Sequence, residues 1–388
     1  SLGKLELLEK NFNPNTKPEL LAFVILNCNK AYYQNQFEQT QKAIKSYEKA
    51  WQLFQKNKLS NYDITESCLK PLGNLYTIIG DYENAENVIK QYYFIANLEN
   101  NQQQKFASIL NLSNVYQYSG KHLDAVNFLE KTIASEKLSN TQKGMLWNNL
   151  GNNYLASNNN KKAASCYKIS TTLLKKSNEN ESLSNAYRNL ALLNNDLQLF
   201  EQAKETFLKN NNNSTRAIAK LYYDEAFLYF QNDQIIESQN AVNRVFTTLI
   251  PSYSSSKSQL PKENLLYAET TLLDAFDLQA KLFLAQSQPK KALESYALSF
   301  HIEELFQLLL VYENSKIITQ IRNRNRTEKC IEIYNLLYQK EKKISYLESA
   351  FLLSEKTKSA VLKQSFFDKK NFSREEKLIT EQLQNWNT

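Results

Sequence analysis

Three asparagines stand at matching places along the chain: Asn74, Asn114 and Asn152, each directly after a small residue (Gly73, Ser113 and Gly151). An asparagine side chain is donor and acceptor at once. A row of them can hold the peptide groups of an extended ligand without reading its side chains. Four residues before each lie Lys70, Leu110 and Asn148, and Arg188 has the same place in a weaker fourth copy. A spacing of four puts both positions on one helical face. Lys70 and Arg188 supply cations for a carboxylate, the guanidinium through two parallel bonds. The expected binding face is therefore Lys70, Asn74, Asn114, Asn148, Asn152 and Arg188, and the expected partner is a protein or an extended peptide segment. The competing account is a solvated face in a chain rich in asparagine throughout.

Other chemistry finds little support in the residues. His122 and His301 are the only histidines, and the four cysteines (Cys28, Cys68, Cys166 and Cys330) form no C-x-x-C pair. This pattern indicates neither a zinc site nor a disulfide framework, and the cysteines read as buried small residues. His301 and Cys330 could be imagined as a nucleophile and its base, but nothing in the helical pattern orients them. Paired catalytic carboxylates, a glycine-rich phosphate loop and a metal-ligand cluster are all missing from the pattern, so no enzyme activity, metal or cofactor is expected.

The elements that must position the asparagines are helices in a repeat. Leu72 and Ala85, Leu112 and Ala125, Leu150 and Ala163, and Leu190 and Ala203 are each thirteen residues apart, and the alanines recur every 38 to 40 residues. Such a fixed offset in a nearly fixed period marks a helical repeat array. Tyr76, Tyr116 and Tyr154 follow their leucines by four residues and share a stripe with them, so they read as core, as do Tyr167 and Phe207. Gly80 and Gly120 fall where the first helix must end, a place that favours a left-handed residue. Four of the six glycines (Gly73, Gly80, Gly120 and Gly151) occupy these two slots, which chance does not readily produce.

This pattern resembles the tetratricopeptide repeat, whose unit is nominally about 34 residues. The longer period here predicts extended helices or loops. The resemblance implies a right-handed α–α superhelix with a groove lined by first-helix residues, often with Asn after the small slot. The expected organisation is a leader at 1–17, an array at 18–249, a Ser/Pro linker at 250–263 and longer helices at 264–388. Helix pairs are expected at about 20–54, 62–98, 102–136, 140–176, 181–210 and 215–248, with a kink or late start at Pro71. After the linker come helices at about 264–285, from Pro289, to Asn323, at 327–338, at 344–364 and from Ser373.

Two downstream stretches carry a further resemblance. Asn264–Ala275 after the Pro-bracketed linker, and Tyr346–Leu362, are similar to segments of bacterial CHAT proteins, the caspase-like proteins associated with tetratricopeptide repeats. That implies a regulatory arm controlling a protease-like domain further downstream, which this chain ends before reaching. The alternative is the peptide-sensing module of a bacterial signalling regulator or receptor. The net charge of +7 is modest and interspersed, so no nucleic-acid partner is expected. No apolar run is long enough for a membrane span. A cytoplasmic location is expected, although a chain opening on Ser1 gives the missing signal peptide little weight.

Overall fold

In a computed structural model of the chain, residues 2–37, 39–177, 179–209, 214–256, 258–308 and 313–358 are described, without the side chains of 313–322. Among the described residues there are seventeen α-helices and no strand. The chain divides into two compact units, one ending at Ala275 and the other beginning at Phe276.

The first unit opens with α1 (Leu2–Asn11) and then runs in helix pairs: α2 (Lys17–Gln36) with α3 (Thr40–Lys56), α4 (Lys70–Ile79) with α5 (Tyr82–Leu98), and α6 (Gln102–Tyr118) with α7 (His122–Ser135). Then follow α8 (Asn140–Ala156) with α9 (Asn160–Leu174), α10 (Asn180–Asn194) with α11 (Leu197–Leu208), and α12 (Thr215–Gln231) with α13 (Ile235–Leu249). The architecture is an all-α superhelix of stacked pairs, a tetratricopeptide-type helical repeat region. The longer period is explained by helix length. Helices α5 and α6 each have seventeen residues, and three-residue connections on either side complete the forty.

One turn design closes most pairs. Gly80 and Gly120 take φ of 83° and 78°, and Asn158, Asn195, Asp233 and Ser287 take the left-handed conformation at the equivalent places. The next N–H reaches back to an aromatic carbonyl: Asp81 to Tyr76, Lys121 to Tyr116, Asn159 to Tyr154, Gln234 to Tyr229. This is the Schellman arrangement, which satisfies carbonyls the helix end leaves free. Asp81, Asn159 and Asp196 then cap the following helix, their side chains accepting from Asn84, Lys162 and Leu199 N–H. Asparagine serves both positions, because it tolerates the left-handed region and makes a good N-cap. Much of the asparagine in this chain is therefore turn chemistry.

The small slot brings the two helices of a pair together. A Cβ on Gly151 would stand 2.5 Å from Tyr167 Cε1, and one on Gly73 2.7 Å from Ile89 Cγ1. Around Gly151 a core forms from Leu146, Leu150, Tyr154, Ala163, Cys166 and Tyr167. The aromatic slots are core, and two of them also reach the preceding second helix through the hydroxyl: Tyr76 to Glu48, and Tyr154 to Glu130 Oε1 at 2.5 Å. Ser238, in the slot that Ala85, Ala125, Ala163 and Ala203 hold in other pairs, donates to the Ala226 carbonyl at 2.7 Å, so its buried hydroxyl is satisfied.

Several expectations need adjustment. The segment 1–17 contains helix α1, whose Glu9 binds Lys30 and Lys49 at 2.5 and 2.9 Å. Of the kink or late start expected at Pro71, the late start is what is found. A π-helical turn at Thr65–Leu69 precedes α4, leaving Pro71 in the first turn, where its missing N–H costs no bond. In the fifth pair, α10 with α11, the thirteen-residue offset survives, but the turn at Asn195 comes only five residues after Leu190, against eight from Leu150 to Asn158. Helix α10 ends one turn early and α11 starts correspondingly early. In the linker, Tyr253 packs edge-on against Phe246, and its hydroxyl donates to the Ser258 carbonyl. The next helix, α14 (Thr270–Ala285), begins six residues later than the sequence suggests, because Glu263–Leu265 is a short 3₁₀ turn and Glu269 accepts from Thr271 N–H and Arg216.

The second unit holds the end of α14, α15 (Pro289–Gln307), α16 (Glu313–Glu341) and α17 (Ile344–Thr357). Helix α16 runs unbroken past residues 323–327, where two helices were expected. Arg326 anchors that stretch, binding Asp277 through two nitrogens at 2.7 and 2.8 Å and Asn323 at 2.7 Å. The end of the helix expected to reach residue 364 and the helix expected from Ser373 lie outside the described residues.

Candidate functional site

The asparagines lie on consecutive first helices, and the fold uses them in a way that spacing alone did not reveal. Asn111 Nδ2 donates to Asn74 Oδ1 at 3.0 Å, joining α6 to α4. Asn149 Nδ2 donates to Ser113 Oγ at 2.8 Å and Asn114 Oδ1 at 3.1 Å, joining α8 to α6. Asn189 Nδ2 donates to Asn148 Oδ1 at 3.0 Å and Asn152 Oδ1 at 2.9 Å, joining α10 to α8. At the next boundary an ion pair replaces the amide: Arg188 Nε lies 3.1 Å from Asp224 Oδ2 on α12. A polar seam thus runs through four successive interfaces.

The seam polarises the amides. Asn74, Asn114, Asn148 and Asn152 all spend their oxygens on the neighbouring repeat, and Asn152 Oδ1 accepts a second bond from the Tyr167 hydroxyl at 2.8 Å. Burial holds the Tyr167 phenol far above its ordinary pKa, so it remains a donor at any physiological pH. The Nδ2 groups of these four asparagines donate to nothing among the described residues. The row therefore offers donors, with its acceptors already engaged.

The two candidate cations are paired. Lys70 Nζ sits 2.5 Å from Glu66 Oε1 one turn back. Arg188 shares Asp224 with Lys220, whose Nζ is 3.2 Å from Oδ1. With Asp224 about 5% exposed, that triad is a buried internal junction more than a docking point. Lys70 and Asn74 line a cleft of about 310 Å³ together with Asn29, Tyr32, Tyr62 and Ser67. Another cleft, of about 360 Å³, lies between the start of α6 and the α7–α8 connection and contains none of the six candidates.

Asn111, Asn149, Asn189 and Asp224 were missed in the sequence. A signal for two of them was present: Asn111 and Asn149 stand three residues before Asn114 and Asn152, on the same face. Asn189 and Asp224 hold the same place before Ala191 and Ala226, but the slots three residues on carry Leu192 and Phe227, so no asparagine there drew attention to them. As for catalysis, no group of three His, Cys, Asp or Glu among the described residues could hold a metal ion. Burial pushes the Cys330 thiol up to about 12, which leaves it protonated and a poor nucleophile. Among the described residues no helix is long and apolar enough to cross a membrane.

The fold and this seam define a class: a tetratricopeptide-type all-α repeat protein with a donor-lined first-helix face. Among solved structures, the chain is similar to the apo form of the quorum sensor NprR from B. thuringiensis, at 15% identity and a TM-score of 0.53, over 77% of this chain and 81% of that one. It is similar also to the apo form of RapI, at 15% identity and a TM-score of 0.51, over 73% of this chain and 98% of that one. No family model matches the sequence, and no curated protein matches it.

Proposed function

We propose that this chain is a non-catalytic peptide-sensing repeat module, in which an extended peptide lies along α4, α6 and α8. Its main-chain carbonyls accept from Nδ2 of Asn74, Asn114, Asn148 and Asn152. The observation that carries this reading is the common polarity of the four amides: oxygens engaged laterally, donors unengaged. That NprR, a protein of similar fold, is a quorum sensor supports the same reading. Lys70 and Arg188 have a secondary part, since each already faces a carboxylate. Ligand binding would draw neighbouring repeats closer or apart and so pass a signal to an output in the same cytoplasmic protein. Control of a downstream CHAT effector rests on two helical sequence segments alone and is the weaker version of that output; the coding sequence beyond Thr388 tests it.

The experiment separates the structural bond from the binding bond. Asn114→Asp and Asn152→Asp keep an oxygen for Asn149 and Asn189 but replace the free donor. A decapeptide display library is panned on the wild-type chain, and the enriched peptide is titrated by calorimetry against wild type and the double variant. The expected result is a loss of affinity of tenfold or more with unchanged helicity and melting. Failure to enrich any peptide, or equal affinity for the double variant, overturns the proposal.

A further inference from the structure

The cleft that holds Lys70 and Asn74 is lined by three tyrosines from three segments: Tyr32 on α2, Tyr47 on α3 and Tyr62 in the connection after it. Its volume of about 310 Å³ is at the small end of the range for ligand clefts, roughly 300–1,000 Å³. The π-helical turn brings Glu66 to the wall, and the first turn of α4 brings Lys70. Widened turns of this kind occur often at functional sites. Tyr47 is 2% exposed, yet its hydroxyl bonds to nothing among the described residues. Unlike the sealed Tyr92 hydroxyl, it retains access, and that access is through the cleft it lines. A buried phenol without a partner is costly, so this one calls for an acceptor from outside the chain.

The other unengaged polar capacity in the wall is of the same kind. Asn74 gives its oxygen to Asn111 and keeps its Nδ2 free. Lys70 commits one of its three N–H groups to Glu66 Oε1. Glu66, the one carboxylate in the wall, is already engaged by that ammonium. A group that only accepts, and that carries a negative charge for Lys70, complements this set, and a carboxylate is both.

We propose that this cleft is the end pocket of the groove and takes the C-terminal residue of the peptide, its carboxylate bound by Tyr47, Asn74 and Lys70. The inference rests on the peptide site proposed above and gives it a direction. Asn74 is at once the first donor of the row and part of the cleft wall, so the peptide ends at α4 and its earlier residues run toward α8. The tyrosine rings offer rigid apolar walls, which favour a large apolar or aromatic side chain on that last residue. Lys70 changes partner at little cost, because an exposed pair four residues apart on a helix contributes little, and Glu66 then turns to solvent. Burial raises the Tyr47 pKa, so the phenol meets the carboxylate as a donor.

The probe is N-acetyl-alanyl-phenylalanine, as the free acid and as the C-terminal amide, titrated against the folded full chain by ligand-observed NMR. The acid is expected to bind about tenfold more tightly than the amide, as a charge-assisted contact requires. Lys70→Gln and Tyr47→Phe should each remove most of that difference. Glu66→Gln, which releases Lys70, should hold or raise the affinity of the acid; a pocket for an ammonium would respond in the opposite sense. Tyr47→Phe deletes a hydroxyl with no partner in the protein, so its melting should hold or rise, whereas a fall would expose a structural role. Equal binding of acid and amide, no binding of either, weaker binding by Glu66→Gln or a destabilised Tyr47→Phe each overturns the inference. The Asn114→Asp, Asn152→Asp double variant should bind the dipeptide acid as wild type does, so failure of the end pocket and failure of the asparagine row are read separately.

Discussion

At Asn149 a single side chain bonds both Ser113 and Asn114 on the preceding first helix. Neutral hydrogen bonds of this kind contribute about 1 kcal/mol each, and a stranded partner adds to the loss when one side is removed. Asn149→Ala is therefore expected to lower stability by about 1–2 kcal/mol, read as a lower urea midpoint. Asn114→Asp, which keeps the acceptor, is expected to change stability by less than about 0.5 kcal/mol while removing the free donor. If both variants melt alike, the seam is not the structural bond inferred here. Tyr154 offers a parallel case: Tyr154→Phe keeps the ring in its core and loses the bond to Glu130 and the longer one from Lys162 Nζ at 3.5 Å, at a cost of about 1 kcal/mol.

The helix pair depends on close approach at one place and on backbone freedom at another. Gly151 lies under the fully buried ring of Tyr167, which has no room to withdraw and is held through its hydroxyl to Asn152. Gly151→Ala gains about 1 kcal/mol of helix propensity but overpacks the contact by up to about 3, for a net loss of about 2 kcal/mol. At Gly120 space is open and only φ matters. Gly120→Ala should cost about 1 kcal/mol, and Gly120→Asn less, because Asn158 adopts the same conformation at the matching turn. Thermal melts of the three variants check that order, and a larger cost for Asn than for Ala at position 120 would contradict it. Pro71 fits the same view of the pair as a unit, tolerated because the turn before it widened.

Over the whole molecule, carboxylates held by lysines or by neutral donors set the response to acid. Burial works against the ionised form of Glu9, but its bonds to Lys30 and Lys49 outweigh it and hold the pKa below its ordinary value. Glu86 is likewise opposed by burial and lowered overall by Lys121 and Lys90. In Asp63 burial again opposes, and bonds from Thr65, the Glu66 N–H and Gln104 prevail. For a depressed folded pKa, the added stability is fully present above the unfolded value of about 4 and is lost as pH falls through the folded value. The urea midpoint is thus expected to hold from pH 7 to about 5 and to drop steadily below about 4. A midpoint that rises on acidification would show that these groups are not stabilised as described. Because each repeat touches mainly its neighbours, damage at one seam bond should loosen the adjoining pairs before the distant ones.

What the sequence determined by itself was local and periodic. Helix pairs, left-handed turns at Gly80 and Gly120, small slots at Gly73 and Gly151 and the aromatic core stripe all follow from residue type at fixed spacing, because one helical turn repeats every few residues. The same logic placed Asn74, Asn114, Asn148 and Asn152 on one face. Only the tertiary structure decided what they do there. The partners Asn111, Asn149 and Asn189 come from the next repeat, 35 to 41 residues away, through stacking that no spacing within one helix encodes. The pairing of Arg188 with Asp224, the early turn at Asn195 and the unbroken α16 around Arg326 share that origin. Each is a contact between elements, set by how whole helices pack, and a chain read one residue after another does not contain it.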